Sequence, residues 1–381
     1  MIIVGVDATR SRSGGAKAHL IGILSEIDPL NYRIKLIHIW GYKELLEILP
    51  ERPWLIKHLP NEISTGSIIR QIWWQFWILP KELKKFKCSV VFNTDAGSVC
   101  YFKPGVTLSQ DMLSFEPGEM KRFGFSIARL RLLLLLAIQI KSLSKASLPI
   151  FLTNYASEVI QRKTGFLHKK VIIPHGIGKE FHELGNTKNN IIIAKDLYKV
   201  VYVSNVAFYK HQWHVVSAIN LLRKKGYNLS ITFVGGGKGK AQRKFENEVS
   251  KVNKQADWIL QKGFMSHEEL IKILCESDIF LFASSCENMP VTLLEGMAAG
   301  LPIICSNRGP MPEILQDGGL YFNPESVESI SYALKNIIDD LELRKKLASR
   351  SKVLSKQYTW EKCADTTWNI ISQVGTGEKN M

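Results

Sequence analysis

Long apolar runs are missing from this chain of 381 residues. No stretch of about eighteen consecutive apolar side chains occurs, so no transmembrane helix is expected. The six cysteines form no C-x-x-C pair and no Cys/His set with zinc spacing, which excludes a zinc-finger framework and favours reduced, mostly buried thiols. Residues 1–7 contain neither a basic n-region nor a small-residue cleavage site and are typical of a buried strand. We therefore expect a cytoplasmic protein.

The composition is that of a folded α/β protein with an excess of positive charge. Hydrophobic residues make up 45% of the chain and charged residues 22%, and the length suffices for two domains. The net charge of +15 divides into +11 for residues 1–190 and +4 for residues 191–381. A basic first half suits nucleic acid, an anionic membrane surface or an acidic substrate. Because RNP-type and zinc-finger signatures are missing, no nucleic-acid partner is expected.

Residues 278–300, D-I-F-L-F-A-S-S-C-E-N-M-P-V-T-L-L-E-G-M-A-A-G, form the most informative stretch. A short unbroken apolar run predicts a buried strand over residues 279–283, and a run of helix formers predicts a helix over residues 291–299. Pro290 is predicted at the first helical position, where its missing N–H costs nothing. The stretch therefore predicts a strand, a tight turn and a helix of an open α/β sheet.

The turn of this stretch has the features of a phosphate-binding site. The amides of Val291 and Thr292 are predicted to be free at the helix N-terminus, which attracts phosphate. Glu287 precedes the turn and Glu295 lies on the helix, so the two carboxylates serve different partners. A carboxylate one turn inside the helix, such as Glu295, can accept hydrogen bonds from a ribose diol, whereas Glu287 can reach a sugar. The alternative is that both are ordinary surface charges.

A larger set of motifs extends this pattern over the second half of the chain. These are Glu287 and Glu295 with seven residues between them, residues 300–302, residues 309–313, Gly263 and Phe264, and residues 234–237. The set resembles the donor-binding signature of the retaining glycosyltransferase family 4 (group 1). The resemblance implies a GT-B fold, in which two Rossmann-like, doubly wound domains face each other across a cleft.

The resemblance also implies domain limits. Residues 1–185, with a returning helix at about 358–375, would form an acceptor-binding domain. Residues 190–357 would form the nucleotide-sugar-binding domain. The polar residues 183–195 are typical of a linker between domains.

The resemblance assigns roles residue by residue. Lys210 and Glu287 are the predicted catalytic residues, with Lys210 on the departing diphosphate. Asn205 stands where the family has an arginine, so part of the charge neutralisation has to come from elsewhere. The predicted donor-binding residues are Gly15, Asn205, Gly235, Gly263, Phe264, Asn288, Met289, Pro290, Val291, Thr292 and Glu295.

In the first half, Gly14 and Gly15 form a turn between a strand and a helix, where the backbone can approach a ligand closely. Residues 106–111 predict another strand. Its end carries Gln110 and Asp111, predicted on the acceptor side, where the family has a histidine followed by an acid. Gln110 has no ionisable proton there, although its amide can hydrogen-bond a hydroxyl group.

Two helices of the first half combine apolar and basic or aromatic residues. Residues 67–87 predict a helix that ends at Pro80, and its Trp73, Trp74, Phe76 and Trp77 cannot all face one core at 3.6 residues per turn. We expect most of them in the core and one or two exposed. Residues 119–145 predict a basic amphipathic helix, either partly buried or lying on a membrane surface.

These observations together predict a retaining glycosyltransferase. It would move a sugar from a nucleoside diphosphate sugar to a saccharide acceptor, in the assembly of bacterial surface polysaccharide such as O-antigen, capsule or lipopolysaccharide. The acceptor is expected to be lipid-linked, and the protein peripheral on the inner face of the plasma membrane. No cofactor or metal ion is expected. The alternatives are a non-catalytic binding protein for sugar nucleotides or membrane surfaces on the same fold, and an epimerase.

Overall fold

The computed structural model describes residues 1–61, 67–187, 196–252 and 257–378. The predicted linker, residues 183–195, lies outside the described residues from position 188 onward. The chain forms two compact α/β units, each with its own parallel sheet. The first unit contains Met1–Gly176 and Thr359–Met381, and the second contains Ile177–Tyr358.

The sheet of the first unit has seven parallel strands in the order β3-β2-β1-β4-β5-β6-β7. The strands are β1 Ile2–Asp7, β2 Ile34–Trp40, β3 Leu55–His58, β4 Val90–Asn93, β5 Gly105–Leu108, β6 Leu148–Phe151 and β7 Val171–Ile172. Every residue of β4, β5 and β6 is buried, as expected for strands covered by helices on both faces.

The helices of the first unit connect these strands. They are α1 Gly14–Ser25, α2 Lys43–Ile48, α3 Ile68–Trp73, α4 Leu79–Lys85, α5 Ile127–Lys145, α6 Asn154–Thr164 and the returning helix α15 Trp360–Thr376. The indole Nε1 of Trp368 on α15 donates a hydrogen bond of 2.8 Å to the carbonyl of Ile23 on α1. A buried indole N–H needs such a partner, so this bond fixes α15 on the first unit.

The aromatic helix differs from its prediction in length and in orientation. A π turn, Trp74–Ile78, joins α3 to α4, and the helix continues past Pro80 to Lys85. In a regular helix the ring of Pro80 would collide with the carbonyl four residues earlier, and the wider π turn lies at that position. Trp74 is buried, whereas Trp73, Phe76 and Trp77 are exposed. The prediction that most of these rings lie in the core was therefore wrong.

The basic segment predicted as one helix over residues 119–145 is divided in two. A 3-10 helix, Glu119–Phe123, is followed by Gly124 with a φ of 56°. This left-handed conformation favours glycine and ends the first piece. Ser126 then caps α5, its side chain accepting from the amide of Arg129.

The sheet of the second unit has six parallel strands in the order β10-β9-β8-β11-β12-β13. The strands are β8 Tyr198–Val203, β9 Leu229–Val234, β10 Ile259–Lys262, β11 Ile279–Phe282, β12 Ile303–Ser306 and β13 Gly319–Phe322. The helices are α7 Lys179–Thr187, α8 Gln212–Lys224, α9 Gly239–Val252, α10 His267–Glu276, α11 Val291–Ala298, α12 Met311–Leu315, α13 Val327–Asp339 and α14 Leu341–Ser355.

Both sheets have a topological switch point. From β1 the chain adds strands on one side of the first sheet, and from β4 it adds them on the other. In the second sheet the same reversal occurs between β8 and β11. Ligands of open α/β sheets bind beyond the carboxyl ends of such neighbouring strands. Within the described ranges, no helix is both long and apolar enough to cross a membrane.

Candidate functional site

The candidate site of the second unit is built from the loops after β8 and β11. Because these strands are neighbours at the switch point, their loops meet: the amide of Ser285 donates a 2.8 Å hydrogen bond to the carbonyl of Tyr209. The hydroxyl of Ser284 also donates to this carbonyl, at 3.3 Å. The two loops therefore form one rigid edge, on which the predicted residues Lys210 and Glu287 lie.

Lys210 is buried at the end of a 3-10 helix, Phe208–Lys210. The hydroxyl of Tyr202 donates a 2.6 Å hydrogen bond to the carbonyl of Lys210 and fixes its backbone. Its ammonium nitrogen lies 5.3 Å from the ring centroids of both Tyr209 and Phe282, within the range of a cation–π interaction. The cation is therefore held in place from several sides.

Lys210 and Glu287 form an ion pair between Nζ and Oε1. Both residues were predicted from the sequence, but as two separate contacts: Lys210 with the diphosphate and Glu287 with the sugar. The structure instead shows one charge-paired unit at the switch point. Gly309 lies close by: a Cβ atom at this position would be 3.8 Å from the amide of Glu287, and its φ of 60° favours glycine.

The helix α11 begins at the end of this loop and presents free amides. Pro290 is the N-cap, with an extended ψ of 105°, so its prediction at the first helical position was wrong by one residue. Leu293 donates to the carbonyl of Pro290 at 3.1 Å. The preceding amides, of Val291 and Thr292, have no acceptor among the described residues, as the geometry of a helix N-terminus requires. Such amides attract an anion.

Glu295 lies one turn further along α11 and is buried. Among the described residues, its side-chain carboxyl group takes part in no hydrogen bond and no ion pair. Burial raises the pKa of its carboxyl from 4.5 to about 7, and the negative charge of Glu180 contributes to the rise. A buried carboxyl group without a partner is costly unless a ligand satisfies it. Glu295 is therefore a candidate for binding hydroxyl groups.

Asn288 and Met289, both predicted to bind the donor, are buried in the loop before α11. The turn thus has a fixed conformation rather than a freely exposed one. Their position between Glu287 and the free amides keeps them in the candidate site as predicted contacts.

The remaining residues predicted to bind the donor in the second unit lie in the loops that follow neighbouring strands. Gly235 follows β9 with a φ of 118°, and a Cβ atom there would be only 2.4 Å from the carbonyl oxygen of Ser204. Asn205, after β8, is exposed, and its carbonyl accepts a 2.9 Å hydrogen bond from Gln212. Gly235 therefore has to be glycine for backbone reasons, whereas the Asn205 side chain is available to a ligand.

Gly263 and Phe264 follow β10 at the same edge of the sheet. Both are exposed, and the ring of Phe264 would come within 4 Å of a Cβ atom at Gly236. Phe264 is an uncovered aromatic ring beside a glycine turn. Such a surface suits stacking by a planar ring, and the contact of Gly263 and Phe264 with the donor remains a prediction.

Sequence reasoning missed the buried side chain beside Lys210. His211 has a left-handed φ of 52° and is fully buried, and its Nε2 lies 2.9 Å from the hydroxyl of Ser285. This contact also connects the loops after β8 and β11. The sequence gives only a weak signal for His211, because the positive φ of a non-glycine residue cannot be recognised from residue type alone.

In the first unit, the predicted acceptor residues lie beyond β5. The side chain of Gln110 donates to the carbonyl of Thr94 at 2.8 Å, and Asp111 accepts from the amide of Leu113 at 3.0 Å. Burial raises the pKa of Asp111. The strand predicted over residues 106–111 ends at Leu108, so both residues belong to the following loop.

Two neighbours of these residues were not predicted. Arg10, after β1, and Asp95, after β4, form an ion pair of 3.3 Å across the switch point of the first sheet. Burial raises the pKa of Asp95, and the charge of Asp111 contributes. Each unit therefore has a cation and a carboxylate paired across the switch point of its sheet.

Gly15 lies inside a helix and not in the turn predicted before it. Gly14 and Gly15 form the first turn of α1, which Ser13 caps by accepting from the amide of Ala16 at 3.2 Å. A Cβ atom at Gly14 would meet nothing within 4 Å. The contact of Gly15 with the donor remains a prediction.

The second unit combines three chemical functions. A buried cation and free helix amides can bind a phosphate group, and an unpaired carboxyl group can bind a pair of hydroxyls. Within the part of the chain that the structure describes, no group of three His, Cys, Asp or Glu side chains is arranged to hold a metal ion. The arrangement fits a ligand with phosphate at one end and vicinal hydroxyls nearby.

Comparisons with known proteins agree with this chemistry. Residues 186–353 match the family model described as glycosyl transferases group 1. O-antigen chain mannosyltransferase B of Escherichia coli is 31% identical over 112 residues, which is 29% of this chain and 29% of that protein. The chain matches between 29% and 50% of the length of the first curated relatives.

Solved structures resemble the whole chain. Sucrose-phosphate synthase from Thermosynechococcus elongatus has a TM-score of 0.78 at 15% identity, covering 99% of this chain and 100% of that one. Anabaena Alr3699/HepE in complex with UDP-glucose has a TM-score of 0.71 at 14% identity, covering 100% of both chains. At these identities the likeness shows the fold alone, which is the predicted GT-B fold with two Rossmann-like units.

Proposed function

We propose that the chain transfers a sugar from a nucleoside diphosphate sugar to a saccharide acceptor, a proposal supported by the match of residues 186–353 to the model for group 1 glycosyl transferases. The observation that carries this proposal is Glu295, a buried carboxyl group one turn inside α11; within the part of the chain that the structure describes, neither this group nor the first amides of the helix has a partner. Diphosphate on the amides of Val291 and Thr292 would bring the ribose hydroxyls within reach of Glu295. The UDP-glucose complex of Alr3699/HepE supports the donor class by analogy of fold.

The proposed reaction retains the anomeric configuration. The bond between the anomeric carbon and the diphosphate oxygen breaks, and the acceptor oxygen bonds to that carbon on the same face. The acceptor proton passes to the departing diphosphate oxygen. Lys210 and the α11 amides would stabilise the negative charge that develops on the diphosphate. Because these groups are already fixed, little reorganisation would accompany the step.

Glu287 would have two tasks in this reaction. Its ion pair keeps the ammonium group of Lys210 in position. Its remaining acceptor capacity, with the backbone of Asn288 and Met289, would hold the hydroxyls of the donor sugar. Asn205 would supply a polar contact, but no charge, to the diphosphate.

The proposed acceptor is a lipid-linked saccharide in bacterial surface polysaccharide assembly, used by a protein that is peripheral on the inner face of the plasma membrane. Two observations support this finer assignment. The first half of the chain has a net charge of +11, which suits an anionic surface. The relative from Escherichia coli is named an O-antigen chain mannosyltransferase.

Donor binding and turnover test the proposal. We expect one nucleoside diphosphate sugar from a panel to raise the melting temperature, and to release nucleoside diphosphate during incubation. Glu295→Ala should abolish or greatly weaken turnover. Glu268→Ala removes an exposed carboxylate from α10 and serves as the matched control. Unchanged turnover in the Glu295 variant would count decisively against the assignment.

A non-catalytic binding protein on the same fold is the second candidate. It is favoured by Asn205 and Gln110, which stand where the resemblance expects an arginine and a histidine. Such a protein would bind the nucleotide sugar but release no diphosphate, with or without saccharide acceptors. An epimerase would instead convert the donor without any acceptor, and chromatography of the sugar nucleotide would reveal its product.

A further inference from the structure

We propose that the first unit binds an anionic lipid surface through an aromatic–lysine surface built from two helices and one loop. This surface consists of Trp73, Phe76, Trp77, Tyr101, Lys141 and Lys145. The inference deepens the proposed function, since it identifies the part of the molecule that would meet a membrane bearing a lipid-linked acceptor. The inference rests on the proposed function only where it concerns a lipid-linked acceptor. Binding to lipid itself needs neither a donor nor an acceptor.

The inner face of the aromatic helix is fixed by polar contacts. The side chain of Gln75 donates to Asp7 at 2.8 Å and to Thr9 at 2.9 Å, and Gln71 donates to Thr9 at 3.1 Å. All four side chains are buried. Because a buried hydrogen-bond network of this kind is costly to break, the helix cannot rotate to bury its other face.

The outer face of the same helix is aromatic. Trp73 is 50% exposed, Phe76 44% and Trp77 55%. The rings of Phe76 and Trp77 pack edge to face, with centroids 4.8 Å apart. Phe76 and Trp77 lie in the π turn and Trp73 directly precedes it, so all three half-exposed rings are on the outside of the helix. Three large exposed rings on one helix face mark an interaction surface.

Tyr101 joins this helix to α5. Its ring lies 6.2 Å from that of Phe76 in an edge-to-face arrangement. The ammonium groups of Lys141 and Lys145 lie 5.5 Å and 4.9 Å from the same ring. The aromatic rings and the two lysines of α5 are therefore parts of one continuous surface.

An apolar stripe extends the surface along α5. Ile127, Leu130, Leu134 and Ala137 are exposed and follow one another at intervals of three or four residues, as positions on one helix face do. Lys141 continues the stripe with the same spacing. At 19 residues the helix is about 28 Å long, so the stripe can lie along a membrane surface.

The composition of this surface favours lipid over a protein partner. Tryptophan is enriched at membrane–water boundaries because its ring is apolar and its N–H remains hydrated. Lysine stems can lie in the apolar layer while the ammonium groups reach anionic headgroups. A second copy of this chain would bring another unit with the same excess of positive charge against this surface, which is unfavourable.

Binding to vesicles tests the inference. The full chain should co-sediment with phosphatidylcholine vesicles that contain phosphatidylglycerol, and the binding should weaken as salt is raised. Phosphatidylcholine alone should bind it poorly. Lipids brominated in their acyl chains should quench tryptophan fluorescence in the wild type, and less in Trp73→Phe/Trp77→Phe.

Variants with matched controls separate this surface from general charge attraction. Lys141→Gln/Lys145→Gln should bind anionic vesicles about 30-fold more weakly, since each lysine near an anionic membrane contributes about fivefold to the affinity. Lys169→Gln/Lys170→Gln makes the same change at exposed positions outside the surface and should bind like the wild type. Trp77→Ser should weaken binding, whereas Phe166→Ser, at another exposed ring, should not.

The inference would be overturned if the protein did not bind anionic vesicles at low salt, or if the surface variants and their controls lost vesicle affinity equally. It would also be overturned if the protein did not bind vesicles but formed a dimer that Leu130→Ala/Leu134→Ala dissociates. The last result would identify the stripe as an interface between copies. Donor turnover in the same preparations is a separate readout. Vesicle binding without turnover would refute the proposed function and leave the lipid-binding surface intact.

Discussion

The ammonium nitrogen of Lys210 and the Oε1 atom of Glu287 form an ion pair that is almost closed to solvent, with 8% of the lysine side chain and 14% of the glutamate side chain exposed. The pair connects the loops after β8 and β11 at the switch point of the second sheet. In so buried a position, each charge depends on the other for stability as well as for its proposed role.

Replacing one partner of this ion pair should lower the free energy of unfolding more than replacing both partners. Lys210→Met leaves the Glu287 carboxylate buried beside apolar rings, so we expect a loss of about 3 kcal/mol in the free energy of unfolding. The double variant Lys210→Met/Glu287→Gln has no unpaired charge and should be more stable than the single variant. Urea unfolding of the two single variants and the double variant measures the coupling. Additive losses would show that the two charges do not stabilise each other.

The pKa of Glu295 predicts a pH dependence of stability. Burial raises the folded-state pKa to about 7 from the ordinary 4.5, so the folded protein holds a proton that the unfolded chain releases between these values. The free energy of unfolding should therefore decrease as pH rises from 4.5 to 7, by about 3 kcal/mol in all. Urea unfolding at several pH values measures this decrease, which should disappear in Glu295→Gln.

Donor affinity should depend on the same proton, but it should increase with pH, whereas stability decreases. The carboxylate accepts hydrogen bonds from two hydroxyls, and the carboxylic acid does so less well. We expect nucleoside diphosphate to bind about tenfold more tightly at pH 8 than at pH 6, in proportion to the ionised fraction. The nucleotide phosphate also titrates near pH 6. Calorimetry with Glu295→Gln measures the pH dependence that comes from the nucleotide phosphate alone. If the affinity of the wild type and of Glu295→Gln depended equally on pH, the assignment of Glu295 would be contradicted.

Much of the second unit could be predicted because its signals are local. The strand and helix predicted over residues 279–283 and 291–299 agree with β11 and α11 to within one residue. Apolar runs, a proline and a terminal glycine suffice to define such elements. The pairing of Lys210 with Glu287 is different, since 77 positions separate them and their contact depends on β8 and β11 being neighbours.

The exposed aromatic face of the first unit could not be predicted for a different reason. Sequence periodicity assumes 3.6 residues per turn, and the π turn Trp74–Ile78 changes which side chains share a face. The ion pair of Arg10 with Asp95 also depends on strand order, here of β1 and β4. Long-range strand neighbours and local changes of helix type thus account for what the sequence left undetermined.

The buried histidine pair of the first unit predicts loss of stability in acid. The Nδ1 atoms of His19 and His175 are 3.0 Å apart, so one ring has to donate and the other accept. Burial lowers the pKa of His19 from 6.5 to about 4, and burial also lowers the pKa of His175 well below its ordinary value. Stability is therefore fully present above pH 6.5 and decreases as pH falls toward 4, by about 2 kcal/mol for His19 at pH 5.

Comparison of urea unfolding at pH 7 and pH 5 checks this expectation. His19→Gln removes one titrating ring and should lose less stability between the two pH values than the wild type. His168→Gln replaces an exposed histidine and is the control. If the wild type and His19→Gln respond equally to pH, the histidine pair does not account for the acid sensitivity.

Two of the three glycines predicted to contact the donor, Gly235 and Gly263, should respond differently to alanine. At Gly235 the φ of 118° and the carbonyl of Ser204 at 2.4 Å oppose any Cβ atom, so Gly235→Ala should destabilise the protein by roughly 1–3 kcal/mol and disturb the loop after β9. At Gly263 a Cβ atom meets nothing within 4 Å, and Gly263→Ala should melt like the wild type. A loss of nucleotide affinity in Gly263→Ala would then report a close approach of the ligand to this backbone, because folding is unchanged. Melting temperatures with and without nucleoside diphosphate separate the two effects, and a stable Gly235→Ala with normal affinity would contradict the strained turn on which this prediction rests.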